Sequence, residues 1–266
     1  MRVALIQLEA STDSERNRDA VRKRLDGLDG AGLDLVVLPE GSMHDFGPPD
    51  HDLSAAAEPL DGPYVEMLTD QARHLGATVI GHIFERHESG GRPYNTTIVI
   101  GPDGAIRTAY RKVHLYDSFG YVESDRLSAG PIETVTVDVD GFRIGLLTCY
   151  DLRFPEFARL LVDRGADVFA VPTAWVSGQL KEDHWETLLR ARAIENTVYA
   201  LGAAQCGRAY AGRSMVVDPM GIVVAGAGES DADVVADLSA DRISAARKRN
   251  PSLANRRIGS VPGATL

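Results

Sequence analysis

The sequence predicts an α/β fold of two mixed β-sheets packed face to face, with helices on the outside. Three observations predict it. β-α-β units alternate with tight hairpins, which mixes parallel and antiparallel pairing. Several strand candidates are apolar on both faces, more than a single sheet layer needs. The 266 residues are 44% hydrophobic and 25% charged, an ordinary globular composition with material for a large core.

Residues 3–8 read as a buried strand. Ser11, Thr12, Asp13 and Ser14 offer N-caps for a helix to about Leu28, with Val21, Leu25 and Leu28 on one face. A strand at 33–38 completes a β-α-β unit, which favours a parallel pair and a right-handed crossover. Residues 41–63 are rich in Gly, Pro and Asp and read as a loop over the carboxyl edge. A helix at 64–75 and a strand at 78–84 follow.

Hairpins come next. Strands 96–100 and 106–111 meet at Gly101-Pro102-Asp103-Gly104, and strands 135–139 and 142–147 meet at Asp140-Gly141. Strands 214–217 and 222–225 flank Asp218-Pro219-Met220-Gly221. Between the last two hairpins lie a helix at 154–163, a strand at 167–171 ended by Pro172, a helix at 181–197 and a strand at 199–205. The second helix repeats Trp185, Leu188, Leu189 and Ala193 at helical spacing. A strand at 234–237 closes the sheets. No linker interrupts residues 1–266, so one domain is expected. Residues 241–266 read as too polar and Pro-broken to form core, and are expected to clasp a neighbouring subunit.

Composition narrows the partners. A net charge of −10 argues against nucleic acid or an anionic membrane. Arg247-Lys248-Arg249 with Arg256 and Arg257 is the local exception, read as a solvated tail or one packed on a partner rather than a phosphate site. No run reaches membrane-spanning length, and the first ten residues read as a strand rather than a signal peptide. Two cysteines make no disulfide framework, so a cytoplasmic setting is expected. The histidines show no metal spacing, and neither a Gly-rich phosphate loop nor a serine elbow is present, so no cofactor or metal is expected.

Phe142 to Glu156 (FRIGLLTCYDLRFPE) carries the chemistry. Cys149 falls where a strand ends and a helix is about to begin, a corner that exposes a side chain and aims free N–H groups. Taken alone, such a cysteine is a small buried hydrophobe as readily as a nucleophile. Glu40 follows the apolar run Leu33-Asp34-Leu35-Val36-Val37-Leu38-Pro39, and Lys112 follows another strand. A carboxylate, an ammonium and a thiol at strand ends are the parts acyl transfer from nitrogen requires.

Leu38-Pro39-Glu40, Tyr110-Arg111-Lys112-Val113-His114-Leu115 and Cys149-Tyr150-Asp151-Leu152-Arg153-Phe154-Pro155-Glu156 resemble the signature segments of the nitrilase superfamily, the carbon–nitrogen hydrolases. They occur in the family's order, and the resemblance runs from Val3 to about Asp237. It implies a four-layer αββα sandwich and at least a dimer. It also implies Cys149 as nucleophile, Glu40 as base, Lys112 and the Tyr150 N–H as oxyanion donors, and Glu123 as a second glutamate holding Lys112.

Tyr116, Phe119, Tyr150 and Trp175 lie on loops beside these segments, placed either to line a substrate pocket or to pack as core. Arg153 would serve a substrate carboxylate or pair with Glu156 or a neighbour. Cys206 reads as a core thiol. His184-Trp185-Glu186 and Ala203-Ala204-Gln205-Cys206-Gly207-Arg208 look like the Nit-type branch, which holds ω-amidases and amidases of deaminated glutathione. The segment between Lys112 and Glu123 is shorter here than in those relatives, which leaves the substrate open. The expected activity is hydrolysis of small linear carboxamides, with water and the amide as the only small partners. A nitrilase, an N-carbamoyl amidohydrolase or a catalytically idle scaffold are the alternatives.

Overall fold

The computed structural model describes residues 1–259. In chain order it runs β1 (Arg2–Gln7), α1 (Ser14–Asp26), β2 (Leu35–Val37), α2 (Pro63–Leu75), β3 (Thr78–Glu85), β4 (Tyr94–Ile100) and β5 (Ile106–Arg111). A small hairpin, β6 (Asp117–Ser118) and β7 (Tyr121–Val122), precedes β8 (Thr136–Val139), β9 (Phe142–Leu146) and α3 (Pro155–Asp163). Then come β10 (Val168–Thr173), α4 (Lys181–Asn196), β11 (Tyr199–Ala204), β12 (Met215–Val217), β13 (Val223–Gly226), β14 (Ala232–Asp237) and α5 (Ala240–Arg249).

Two six-stranded sheets form, ordered β14-β1-β2-β3-β4-β5 and β13-β12-β11-β10-β9-β8. Alternation along each strand explains the doubly apolar pattern. Val3, Leu5, Leu35, Val37 and Ile80 share a core with Ile144, Leu146 and Phe169 of the opposite sheet. Their neighbours Ala4, Ile6, Val36 and Val79 face the other way, packing with Val21 and Leu25 of α1 and Leu68 of α2. Trp185 and Leu189 of α4 and Leu161 of α3 cover the second sheet. The result is the αββα sandwich.

Strand direction places the site. β1, β2 and β3 are parallel, and β3–β4 and β4–β5 are antiparallel. Two reversals return β5 to the direction of β2, so both end at one edge. In the second sheet β9, β10 and β11 are likewise parallel. Leu8, just past β1, bridges Gln205, just past β11, in parallel, so the carboxyl edges of the two sheets adjoin.

The hairpin turns fall where the sequence places them. Asp140 and Gly141 both take positive φ, 44° and 77°, the twist that a two-residue connection between β8 and β9 requires. The chain after 240 contributes to the core, contrary to the reading that it is too polar to do so. Residues 240–249 form α5, capped by Ser239, with Ile243 and Ala246 buried against their own sandwich. Arg242 pairs with Asp218 and Arg247 with Asp167 at 3.0 Å, so this basic stretch is held by the chain's own acids. Of the rest of the expected subunit clasp, Arg256 pairs with Asp163, and residues 260–266 lie outside the described residues.

Candidate active site

Cys149 opens a tight 3₁₀ turn, Cys149–Arg153, directly after β9, with φ at +48°. A side chain in this left-handed region costs on the order of 1–3 kcal/mol, so the surroundings must impose it. Asp151, fully buried, supplies much of that constraint. Its carboxylate accepts from the Thr148 N–H (2.9 Å), the Tyr110 hydroxyl (2.6 Å) and the His114 N–H (3.3 Å), and sits 2.7 Å from His114 Nδ1. His114 in turn stacks on Phe154, ring centres 3.7 Å apart. One carboxylate thus ties the lysine segment to the cysteine turn. The sequence shows Asp151 only as a strand breaker.

Lys112 Nζ is 2.9 Å from Glu40 Oε1 and 2.9 Å from Glu123 Oε2, with all three side chains 1% exposed. Asn95 of β4 donates from Nδ2 to Glu40 (2.7 Å) and to Glu123 (3.0 Å). The direction of that amide is fixed from behind. The Gly41 N–H donates to His82 Nδ1 (2.9 Å), so Nε2 carries the proton and donates to Asn95 Oδ1 (2.7 Å). Burial drives the His82 pKa down to about 4, which keeps the ring neutral for this role. Glu40 Oε2 also accepts the Ala174 N–H at the end of β10. His82 lies mid-strand and Asn95 near the start of β4, so no carboxyl-end signal marks them.

The electrostatics divide the labour. Burial opposes ionisation of Glu40, but the charge of Lys112 and the hydrogen bonds of Asn95 and Lys112 outweigh it and hold Glu40 below the usual carboxylate value. Burial and the charge of Glu40 raise Glu123, against the pull of Lys112. Lys112 also pays for burial, yet the two glutamates hold its pKa well above normal, so it stays charged. Burial, then the negative charge of Glu40, push the Cys149 thiol far up. At rest Cys149 is therefore a thiol, not a free thiolate, and would need a base to attack.

A cavity of about 370 Å³ opens onto these groups. Tyr116, Phe119, Tyr150, Arg153 and Trp175 all line it. Arg153 makes no ion pair among the described residues; its guanidinium lies 4.8 Å over Trp175, and its Nε and Nη2 are buried without a partner. The alternative pairing with Glu156 is not formed. Phe119, 64% exposed at φ +55°, forms the turn of the β6–β7 hairpin. Phe46, Tyr121, Lys181 and Tyr210 join the lining without having been marked in the sequence. Cys206 lies outside it, bonded to Asp231, its pKa pushed up to about 12 by burial and that carboxylate. Among the described residues, no three His, Cys, Asp or Glu side chains are grouped to hold a metal ion, and no helix is long and apolar enough to cross a membrane.

A fold of this class with an acid, an amine and a thiol in one cavity is that of a hydrolase for carbon–nitrogen bonds, and residues 2–248 match the carbon–nitrogen hydrolase family. The chain belongs to that family, within the nitrilase superfamily. It is 35% identical to the deaminated glutathione amidase of Escherichia coli O157:H7, covering 97% of each chain. The CN-hydrolase superfamily protein XC1258 of Xanthomonas campestris, solved with an arsenic adduct in its active site, superposes with a TM-score of 0.88 at 33% identity, covering 98% of each chain. Saccharomyces cerevisiae Nit3, of branch 10 of the superfamily, gives 0.86 at 30% identity and 97% of each. The protein is an amidase-type hydrolase of the Nit-type branch.

A pH dependence of substrate binding is expected at the cavity mouth. Phe46, Gly47 and Pro49 sit on a loop whose ends are joined by His44 and His51, their Nε2 atoms 2.8 Å apart. Only one proton fits between them. His44 Nδ1 lies 2.8 Å from the Ser14 hydroxyl; burial and then His51 lower its pKa, against Asp45 and Asp13. A histidine lowered in the closed loop stabilises that loop above its ordinary value near 6.5, and the contribution is lost as pH falls through the lowered value. KM is expected to rise several-fold towards pH 5, and less in His51→Gln, whose amide oxygen still accepts from a protonated His44. A KM–pH series on both proteins checks this; parallel curves contradict it.

Proposed function

We propose that the protein hydrolyses small linear carboxamides bearing a carboxylate, through a thioester on Cys149. Glu40 takes the thiol proton as Sγ attacks the amide carbon. The carbonyl electrons move onto oxygen, which meets Lys112 Nζ and the Tyr150 N–H. As the C–N bond breaks, protonated Glu40 gives its proton to the departing nitrogen, and ammonia leaves. Water then attacks the thioester with Glu40 accepting its proton, and the S–C bond breaks to release the acid and restore the thiol. Arg153 offers its free Nε–Nη2 edge to the substrate carboxylate in a two-pronged contact.

The observation that carries this reading is the single buried ammonium shared by two carboxylates beside the thiol. Glu123, raised and bound to Lys112, holds the ammonium in place while Glu40 cycles its proton. An ammonia assay tests it, run on short amides, matched nitriles and N-carbamoyl amino acids, beside Cys149→Ala. Amides are expected to be cleaved best, and the variant to be inert; turnover of nitriles alone would reject the reading. We also propose a homo-oligomer, since Leu160 of α3 and Ile194 of α4 leave apolar side chains in solvent. Light scattering showing a strict monomer would remove that part. The two free cysteines suit a reducing, cytoplasmic setting.

A further inference from the structure

Lys181, the first residue of α4, has no part in the chemistry above, yet it is buried in the cavity wall, only 7% exposed. Its Nζ donates to the Tyr116 hydroxyl at 2.6 Å and lies 4.8 Å from the ring centres of both Tyr116 and Phe119. Among the described residues it makes no ion pair. The acids nearby are engaged elsewhere: Glu182 accepts the Gly178 N–H, and Glu123 is bound to Lys112. One of its three donors is used, and two are free.

Arg153 stands on the same ring, its Cζ 5.6 Å from the centre of Phe119. Two cations therefore flank one aromatic side chain without a carboxylate for either. The burial of Lys181, and after it the repulsion of Arg153, lower its pKa. Unpaired buried charge is costly, and in a chain of net charge −10 it is unexpected unless a ligand completes it. The unpartnered edge of Arg153 has two N–H groups, which one carboxylate fills. That leaves Lys181 uncompensated.

We propose that Lys181 is a specificity-determining residue, the second pole of an anion site shared with Arg153, and that the site takes an amide bearing two acidic groups. Arg153 holds one acid in its fork. Lys181, steadied by the Tyr116 hydroxyl, meets the other. Phe119, at the tip of its hairpin, covers both. This deepens the amidase reading and rests on it.

The test compares kcat/KM on two amides of equal chain length, one with a single carboxylate and one with two, in wild type, Lys181→Met and Lys181→Arg. Wild type is expected to favour the doubly acidic amide. Met keeps the stem packed on the rings and removes the charge, so the preference should fall about 10- to 100-fold, the usual effect of one charged hydrogen bond. Arg should retain most of it. Equal losses on both amides, or a wild-type preference for the singly acidic one, would overturn the proposal. Ammonia from neither amide would instead strike the amidase reading. In that event calorimetry with a dicarboxylic and a monocarboxylic acid of equal length reads the site directly. Tighter binding of the diacid, lost in Lys181→Met, upholds the site, and equal binding overturns it.

Discussion

Lys112→Met is expected to lose both activity and stability. Removing one oxyanion donor costs on the order of 10²–10³ in rate. The stability effect has a separate origin: Glu40 and Glu123, each fully buried and each bound to the same Nζ, would face one another with no cation between them. Breaking a buried ion pair from one side costs about 3–5 kcal/mol, here a Tm drop on the order of 10 °C. The sign with pH follows. Without the ammonium both carboxyls rise, so the folded variant prefers them protonated. Its deficit is smallest at acid pH and grows as pH rises through the raised values. Adding Glu40→Gln to Lys112→Met should restore much of the stability and none of the activity, because it removes the repulsion and the base together. Thermal unfolding across pH 5 to 8 on the three proteins checks this, and a pH-independent deficit would contradict it.

Cys149 variants separate chemistry from fold. Cys149→Ala should lower ammonia release by about 10⁴-fold or more, as removal of a nucleophile does elsewhere. Cys149→Ser should fare little better, since Glu40, held below the ordinary carboxylate value, is too weak a base to draw a proton from an alcohol. Stability should move the other way in Cys149→Gly. The residue sits at φ +48°, and glycine takes that conformation without strain, a gain of roughly 1 kcal/mol set against the lost packing of Sγ. A cysteine held where glycine would be easier is the pattern expected of a site that keeps strain for function. Denaturant unfolding of Ala and Gly variants side by side reads the difference, which vanishes if the turn imposes no strain.

The sandwich was legible because its strands alternate between two buried faces, so Val3, Ala4, Leu5 and Ile6 form an unbroken apolar run. Glu40 and Cys149 were legible because each follows an apolar strand, and Lys112 because it follows the second strand of a hairpin marked by its turn residues. α5 was not: its apolar contacts are Ile243 and Ala246 among charged neighbours, and their burial depends on a sheet surface that local sequence does not reveal. Asn95 and His82 were hidden for a related reason. Polar residues inside the strand segments Tyr94–Ile100 and Thr78–Glu85 look like defects of the pattern, and only the convergence of β3, β4 and β5 makes them a hydrogen-bonded support for the glutamates. Lys181 resembled any lysine opening a helix, and its burial arises from the hairpin and the aromatic rings packed over it. The β6–β7 hairpin, with two residues per strand, is too short to leave a periodicity.

Intact-mass spectrometry of wild-type protein, mixed with a carboxylated short amide and quenched in acid within the first turnovers, examines the covalent step itself. A mass increase equal to the acyl group, located by peptide mapping to Cys149 and absent in Cys149→Ala, is the expected result. Ammonia release with no acyl group on Cys149 under any quench time, or an adduct on another side chain, would contradict nucleophilic attack by this sulfur.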